Sequence, residues 1–373
     1  MKKPIKSLFV FPISQIYGGE QVWLKFLERV DRRRILPFAL LFGKGKLSKR
    51  LDEINIPYYL LPETRIRKML TFLKNLFHMM SFLKEEKFDI VNSLGVHLLT
   101  TLSTSILSVP YVLHIHTIHP LSLVDRWCVR KAKHIVTVSN FSKNFLIGYE
   151  VKSEYIEVVY NGIDIEELER RSKGVNLREE LGLGEDTYIV CYIGRIVKWK
   201  NLDVLIKVIP NIKQEFQGKV KFLFVGDIPR IDTENFDYKD TLLKLAEDLG
   251  VQGEVIFTGR REDIPDILKN IDIFVLPSHL ETFPMCILEA MAFSKPVVAV
   301  EVGGIPELIT EDTGILVRPN DLDGLTRAIT ELLKDEGKRK EMGEAGYRRV
   351  REFFDIENNV TKLESIIECL LQK

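Results

Sequence analysis

The stretch CYIGRIVKWKNLDVLIKVI, residues 191–209, contains in order the three pieces from which a parallel α/β sheet is built. It begins with the end of an apolar, β-branched run, passes through a loop with one glycine and several cations, and ends in a helical pattern. Strands that alternate with amphipathic helices in this way are typical of doubly wound parallel sheets. The same alternation continues in both directions along the chain.

Similar apolar runs recur along the whole sequence. The first half contains SLFVFP, FALLFG, YYLLP, DIVNSL, YVLHIH, HIVTVS and IEVVYN, and the second contains TYIVCYIGR, VKFLFVGD, EVIFTG, DIFVLPS, PVVAVEV and GILVR. The polar segment GIDIEELERRSKGVNLREELGLGEDT separates the two series and is the candidate linker. A chain of 373 residues is also too long for one ordinary core. The sequence therefore predicts two Rossmann-like domains, with ligands at the carboxyl ends of the strands and the chemistry between the domains.

Composition bounds the class of protein. Hydrophobic residues make up 45% of the chain and charged residues 28%, which is typical of a globular protein. The four cysteines lie far apart without metal-binding spacing, which indicates a reducing compartment. The start, MKKPIKSLFVFPISQ, predicts a first strand instead of a signal peptide, and no apolar run approaches the length of a membrane span. We expect a cytoplasmic protein.

The net charge of zero hides an asymmetry. Residues 1–160 carry 24 Lys and Arg against 13 Asp and Glu, a net charge of +11, and the remainder carries −11. Within the basic half, residues 63–87 mix Arg65, Arg67 and Lys68 with many apolar side chains. A buried helix and a face resting on anionic lipid are both consistent with this pattern. On the second interpretation, the basic surface would be extended by Arg32, Arg33, Arg34, Lys44, Lys46, Lys49 and Arg50.

Two loops of the first half contain candidate ligand-binding residues. Gly18 and Gly19 follow the first predicted strand and open a helix, which allows a ligand close to the backbone, although a plain turn explains them equally well. The stretch YVLHIHTIHP contains His114, His116 and His119 near a strand end. No carboxylate or cysteine completes a metal ligand set there, so no metal site is predicted.

The loop within residues 191–209 gathers Arg195, Lys198 and Lys200 between a strand and a helix. A guanidinium binds two oxygens of a diphosphate at once, and a lysine acts as a point charge. Solvated surface charge is the alternative for any one of these lysines.

The stretch ETFPMCILEAMAF, residues 281–293, places Glu281 and Glu289 around an apolar run. We expect a helix with Pro284 in its first turn, capped by Ser278 or Glu281. We expect the first backbone amides of this helix, at Met285 and Cys286, to hold a phosphate. Carboxylates beside an anion are useful only if they bind hydroxyls. A ribose and a hexose flanking a diphosphate describe a nucleotide sugar.

With these residues the chain resembles the retaining glycosyltransferases of family 4, which have the GT-B fold of two facing Rossmann-like domains with a cleft between them. The resemblance covers nearly the whole length. The matching pieces, in order, are GGEQ, VPYVLHIHT, VSNFSK, VYNGID, YIGRIVKWKN, FVGD, VIFTG, PSHLETFPMCILEAM, KPVVAVEVGGIPELI and TGILVRPND. The family's paired glutamates coincide with Glu281 and Glu289.

The resemblance implies roles for individual residues. His116 and Glu281 are the expected catalytic residues, with Glu281 binding hydroxyls of the transferred sugar. The expected donor-binding residues are Gly18 and Gly19 near the β-phosphate, Arg195 and Lys200 on the diphosphate, Gly259 and Arg260 near the nucleobase, Glu289 on the ribose, and the segment Phe283, Pro284, Met285 and Cys286. His114 and His119 are expected to be supporting or structural.

The chain departs from the family pattern in three places. Asn201 replaces a common glycine, and asparagine tolerates a left-handed backbone better than most residues. Glu281-Thr282-Phe283-Pro284 replaces a glycine-containing pattern, and Pro284 removes one amide donor. A longer loop follows FVGD, and it either borders the donor pocket or decorates the surface.

The resemblance therefore implies transfer of a sugar from a UDP- or GDP-linked donor to a glycan or lipid-linked acceptor, with retention and without a metal or other cofactor. Residues 1–165 would bind the acceptor and residues 166–354 the donor, with a helix at about 355–373 packing back on the first domain. No nucleic-acid partner is expected. A peripheral position on the inner face of the cytoplasmic membrane is expected. A sugar-nucleotide epimerase and a non-catalytic nucleotide-sugar-binding protein remain alternatives.

Overall fold

The computed structural model describes residues 3–61, 69–228 and 235–372. The chain divides into two compact units, Met1–Gly162 with Ile356–Lys373, and Ile163–Asp355. The sequence prediction placed the first boundary after residue 165 and began the returning helix at about residue 355. Most of the polar segment that we took as a linker is part of the second unit.

The described residues form thirteen strands, and each of them overlaps one of the apolar runs. They are β1 (Ile5–Phe11), β2 (Ile35–Phe42), β3 (Tyr58–Leu61), β4 (Ile90–Leu94), β5 (Tyr111–Ile115), β6 (His134–Thr137), β7 (Ile156–Val158), β8 (Thr187–Ile193), β9 (Lys219–Val225), β10 (Val255–Gly259), β11 (Ile273–Leu276), β12 (Val297–Val300) and β13 (Gly314–Val317).

Helices alternate with these strands along most of the chain. They are α1 (Gly18–Arg29), α2 (Lys46–Glu53), α3 (Met69–Glu86), α4 (Leu98–Leu107), α5 (Leu123–Lys131), α6 (Asn140–Ile147), α7 (Ile165–Arg170), α8 (Leu177–Glu180), α9 (Leu202–Lys207), α10 (Ile209–Glu215), α11 (Tyr238–Asp248), α12 (Ile264–Asn270), α13 (Met285–Ala292), α14 (Ile305–Leu308), α15 (Leu322–Lys334), α16 (Glu336–Phe353) and α17 (Ile356–Gln372). Short 3₁₀ helices span Ser153–Tyr155 and Lys198–Lys200.

The sheet of the first unit has the strand order β3-β2-β1-β4-β5-β6-β7, and all its pairings are parallel. Side chains along β1 alternate between its two faces, as the pleat of a strand requires. Phe9 and Phe11 pack with α1, α2 and α17 on one face. Leu8 and Val10 belong to the core on the other face, with α3, α4, α5 and α6.

Helix α17 returns to the first unit and is attached there by its charged side as well as its apolar side. Its apolar residues join the core that contains α1 and α2. Arg34 forms ion pairs with Glu364 and Glu368 of this helix, and Asn359 donates a hydrogen bond to the carbonyl oxygen of Tyr160.

The sheet of the second unit has the strand order β10-β9-β8-β11-β12-β13, again with parallel pairings. This is the order of a dinucleotide-binding sheet, in which the third, second and first strands precede the fourth, fifth and sixth. The predicted two Rossmann-like domains with parallel sheets are confirmed.

Both sheets reverse their winding beside their first strand, between β1 and β4 and between β8 and β11. Ligands of such sheets bind outside the carboxyl ends of the strands at this reversal. The loop after β1 leads to Gly18 and Gly19. The loops after β8 and β11 carry the cations and the first of the paired glutamates.

Candidate functional site

In the first unit, the start of α1 and the residue after β5 lie side by side. A Cβ atom built on Gly19 would lie 3.4 Å from the Cβ of His116 and 3.4 Å from a methyl group of Leu94, whereas one built on Gly18 would meet no atom within 4 Å. The structure thus brings together Gly19 and His116, two of the predicted site residues. Burial lowers the pKa of His116 to about 4, so its imidazole is neutral at pH 7.

His114 has a different environment. It is buried in β5, where its Nε2 lies 3.1 Å from Oδ1 of Asn92. Its ring forms a T-shaped contact with the ring of Trp23, with 5.0 Å between the ring centres. Asn92 in turn donates a hydrogen bond to the hydroxyl of Ser7. This network satisfies polar groups inside the sheet and gives His114 a structural role. His119 is exposed.

The start of α1 also carries its own carboxylate. Glu20 is buried and accepts a hydrogen bond from the backbone N–H of Tyr17 at 3.1 Å. Burial raises the pKa of Glu20, although backbone hydrogen bonds oppose that effect. An anion approaching this helix start would therefore meet an acidic neighbour, a feature that the glycine pattern alone does not reveal.

In the second unit, Lys200 and Glu281 form a buried ion pair. Only 9% of each side chain is exposed. Lys200 follows β8 and Glu281 follows β11, so the pair joins the two loops at the reversal of the sheet. Lys200, the residue expected to bind the diphosphate, and Glu281, the residue expected to bind the transferred sugar, thus contact each other directly.

The loop after β8 has a defined conformation. The hydroxyl of Tyr192 donates a hydrogen bond to the carbonyl oxygen of Arg195 at 2.7 Å. Asn201 adopts φ 56° and ψ 37°, the left-handed conformation that the sequence led us to expect. Arg195 itself is exposed.

The backbone of Glu281 is fixed by a glycine pair after β12. The N–H of Gly304 donates to the carbonyl oxygen of Glu281 at 2.9 Å. Gly303 has φ +59°, and a Cβ atom there would lie 1.8 Å from the same oxygen. Only glycine fits this approach.

The expected cap of α13 is wrong. The N-cap position is Pro284, and no side chain caps it. Within the described part of the chain, no group hydrogen-bonds the buried hydroxyl of Ser278, and the Glu281 carboxylate is engaged with Lys200. The start of the helix therefore has no side-chain acceptor, which suits the expected phosphate at Met285 and Cys286. The buried side chain of Phe283 packs against the ring of Phe354.

Burial affects two titratable groups on α13. It raises the pKa of Glu289 to about 7, while the positive charge of Arg171 acts in the opposite direction. Burial also raises the pKa of Cys286 to about 12, partly opposed by Lys200. The influence of Arg171 was not predicted, because this residue lies in the polar segment that we took as a linker.

The remaining donor-site candidates lie at the end of β10. Gly259 has φ +70°, and its carbonyl oxygen accepts a hydrogen bond from Gly226. Arg260 is exposed. The two described ends of the longer loop contact the cation loop, because the N–H of Ile196 donates to Asp227 and that of Lys198 donates to Asn235. The loop is thus attached to the predicted donor site, although part of it lies outside the described residues.

Two kinds of feature are absent from the described residues. These residues contain no group of three or more His, Cys, Asp or Glu side chains arranged to hold a metal ion. They also contain no helix with the length and apolar character needed to cross a membrane.

Two family models match this chain. Residues 18–167 match Glycosyltransferase Family 4, and residues 175–349 match Glycosyl transferases group 1. Each match falls within one structural unit apart from the residues next to their boundary.

Individual proteins agree with this assignment. The N-acetyl-alpha-D-glucosaminyl L-malate synthase of Bacillus anthracis is 33% identical over 68% of this chain, and the alignment spans 64% of that relative's length. The UDP-Gal:alpha-D-GlcNAc-diphosphoundecaprenol alpha-1,3-galactosyltransferase of Escherichia coli is 25% identical over 89% of each chain.

Solved structures show the same fold. The crystal structure of Anabaena HepE in complex with UDP has a TM-score of 0.86 at 23% identity, covering 98% of this chain and 100% of that chain. With its two parallel sheets and its two family matches, the chain belongs to the family 4 glycosyltransferases, which have the GT-B fold.

Proposed function

We propose that this protein transfers a sugar from a nucleoside diphosphate sugar to a glycan or lipid-linked acceptor, with retention of the anomeric configuration. The observation that carries the proposal is the group of cationic and amide donors in the second unit. Arg195, Lys200 and the uncapped start of α13 are positioned by adjacent strands at the reversal of the sheet. Such donors suit a diphosphate.

In this reaction the bond between the anomeric carbon and the diphosphate oxygen breaks, and its electron pair stays on the leaving diphosphate. Arg195 and Lys200 stabilise the growing negative charge, as do the first amides of α13. Positive groups of the protein thus provide the stabilisation that a divalent cation supplies in other transferases, and we propose a metal-independent reaction. The acceptor hydroxyl oxygen forms the new bond on the face that the diphosphate leaves, and its proton passes to the departing diphosphate oxygen.

The glutamates hold the two sugar rings of the donor. Glu281 has one carboxylate oxygen engaged by Lys200, and its other oxygen can accept from a hydroxyl of the transferred sugar. Glu289 lies on α13, the helix that follows the loop carrying Glu281, and is proposed to bind the ribose. Neutral His116 and Gly19 of the first unit contribute to the reacting centre, and that unit binds the acceptor.

The relatives support a UDP-linked donor. The Escherichia coli relative is named for UDP-Gal and for a diphosphoundecaprenol acceptor, and HepE binds UDP and UDP-glucose in its structures. An exposed apolar surface of the first unit, described next, supports a lipid-linked acceptor.

Helix α3 exposes apolar side chains on the side opposite to its core contacts. Met79, Phe82 and Leu83 are buried. Leu70 is 83% exposed and Phe77 is 69% exposed. The two residues lie on one stripe of the helix, because positions seven apart face the same side. This stripe, together with the basic charge of the first half, supports a peripheral position on anionic lipid at the inner face of the cytoplasmic membrane. Arg65, Arg67 and Lys68 lie outside the described residues.

A second exposed group lies on α5, which covers the same face of the sheet as α3. Leu123 is 82% exposed, and Val124 and Trp127 are also exposed. Both helices follow strands, so their first turns lie at the edge of the sheet that also carries His116. The expected contribution of Arg34 and Arg50 to the lipid surface is wrong, because both form ion pairs among α1, α2 and α17 on the other face.

The test of the proposed function is a screen of UDP- and GDP-linked sugars for release of free nucleotide. We expect slow hydrolysis of one donor and faster release when a lipid extract supplies the acceptor. Interconversion of the donor into another nucleotide sugar would favour an epimerase, and binding of donors without any turnover would favour a non-catalytic protein.

A further inference from the structure

Trp199 lies in the sequence between Arg195 and Lys200, the two residues expected to bind the diphosphate. It contacts both of them in the structure. The centre of its ring lies 5.3 Å from Cζ of Arg195 and 4.2 Å from Nζ of Lys200. The face of an aromatic ring attracts cations within about 6 Å, and tryptophan does so best. One neutral side chain therefore holds two positive groups that repel each other.

The two cations differ in their other contacts. Lys200 also pairs with Glu281. Within the described residues, Arg195 has no carboxylate at ion-pair distance. The indole is thus the side chain that orients this exposed guanidinium, and it does so without neutralising it.

A neutral support has a chemical advantage here. A carboxylate in the place of the indole would accept the N–H donors of Arg195 and compete with a diphosphate for them. An aromatic face leaves the edge of the guanidinium, with its donors, available to an anion.

The position of Trp199 is fixed by the backbone. It is the middle residue of the 3₁₀ helix Lys198–Lys200. Its carbonyl oxygen accepts a hydrogen bond from the N–H of His279 at 3.0 Å, which attaches it to the loop after β11. The indole is 37% exposed, so its replacement leaves the core of the domain intact.

We propose that Trp199 is a positioning residue for the diphosphate, which orders Arg195 and Lys200 before the anion binds. The inference rests on the proposed function, because it assigns the cations to a diphosphate. It predicts that the aromatic ring, and not tryptophan as such, is required.

The experiment is calorimetric titration of UDP, GDP and inorganic pyrophosphate into the wild-type protein and into Trp199→Phe and Trp199→Leu. Loss of two cation–π contacts should weaken binding of the preferred nucleotide by about five- to thirtyfold in Trp199→Leu. Trp199→Phe should stay within about threefold of wild type. Thermal unfolding of each variant shows that the fold is retained.

A matched control is available in the same unit. Arg349 lies over the ring of Phe353, 5.2 Å from its centre, and this ring is 52% exposed. Phe353→Leu removes a comparable contact between arginine and an aromatic ring and should leave nucleotide affinity unchanged.

A double-mutant cycle separates positioning from a general structural effect. Replacing Arg195 with Ala should weaken nucleotide binding less in the Trp199→Leu background than in wild type, because the guanidinium is already disordered there. Equal losses in both backgrounds would contradict the inference.

The failures of the two proposals are distinguishable. If the wild-type protein and Trp199→Leu bind the nucleotide equally well, the inference about Trp199 is wrong and the proposed function stands. If the wild-type protein binds neither nucleoside diphosphates nor pyrophosphate, the proposed function and the inference both fall.

Discussion

Lys200 and Glu281 are 81 residues apart in the chain and form a buried ion pair in the second unit. The pair joins the loops that follow two adjacent parallel strands, β8 and β11. Burying two charges is costly, and a pair of this kind is often no more stable than an apolar replacement. Its presence at the reversal of the sheet is therefore better explained by ligand binding than by stability.

Single replacements in this pair should be destabilising. Lys200→Met leaves a buried carboxylate without its partner, and Glu281→Gln leaves a buried ammonium, so each should lower the free energy of unfolding by about 3 to 5 kcal/mol. The double variant should recover a large part of that loss, because neither charge remains. Denaturant unfolding of the four proteins measures these values, and four equally stable proteins would show that the pair is not buried in solution.

Turnover should not follow stability in the same series. We expect Glu281→Gln to lower kcat more than donor affinity and Lys200→Met to lower kcat, because each acts on the departing donor. The double variant should stay inactive although its stability recovers. Activity that returned with stability would mean that the pair is only structural.

The pKa of Glu289 predicts that donor binding depends on pH. With a pKa near 7, this carboxyl is mostly protonated at pH 6 and mostly ionised at pH 8. An ionised carboxylate is the stronger acceptor for ribose hydroxyls, so donor affinity should rise about tenfold between these pH values. Titrations of UDP at pH 6, 7 and 8 measure this rise.

Glu289→Gln is the control for that pH dependence. It cannot ionise, so its affinity should be lower than that of wild type at pH 8 and nearly constant from pH 6 to pH 8. The same rise in the variant as in wild type would assign the titration to another group.

The glycine pair at the start of α1 offers a comparison between two adjacent positions. Gly19→Ala would place a methyl group in contact with His116, 3.4 Å from its Cβ, whereas Gly18→Ala meets empty space. Both variants should retain or slightly raise the melting temperature, because alanine favours a helix. Gly19→Ala should lower kcat several-fold, because its methyl group occupies space beside His116 that the β-phosphate is expected to approach. An unchanged kcat would place the reaction away from this contact.

The strands could be predicted because parallel strands buried on both faces leave continuous apolar runs in the sequence. All thirteen overlap the runs quoted at the outset. Side-chain partners leave no such trace. The pairing of Lys200 with Glu281 and the contacts of Trp199 depend on which loops the sheet brings together, and one sequence does not carry that information.

The mistaken cap of α13 has a physical reason. Capping by Ser278 or Glu281 assumes that the chain enters the helix directly after the strand. Instead, residues 277–284 form a loop that ends at Pro284 in an extended conformation, with φ −74° and ψ 111°. The Glu281 carboxylate then finds a buried ammonium, which is a stronger partner than a backbone amide.

Vesicle binding tests the proposed membrane surface. Binding to vesicles with anionic lipid should exceed binding to neutral vesicles and should weaken as salt screens the charges. Leu70→Ser with Phe77→Ser should reduce binding, whereas Leu243→Ser, an exposed leucine of α11 in the other unit, should not. Equal partitioning onto both vesicles, or none, would favour an acceptor that is not bound to a membrane.

Removal of divalent cations tests the proposed role of the positive side chains. Activity with the true donor should persist in excess EDTA, because Arg195, Lys200 and the start of α13 stabilise the leaving diphosphate. Loss of activity that manganese or magnesium restores would show that a metal ion is required.

The most direct test of the central claim is the transfer of a labelled sugar from its nucleotide donor to the acceptor, followed together with nucleotide release, by wild type and by Arg195→Ala. We predict equal amounts of glycosylated product and free nucleoside diphosphate, retention of the anomeric configuration in the product, and at least about a tenfold lower rate for the variant. Absence of transfer from every UDP- and GDP-linked sugar in the presence of glycan and lipid-linked acceptors, or an unchanged rate in Arg195→Ala, would contradict the account.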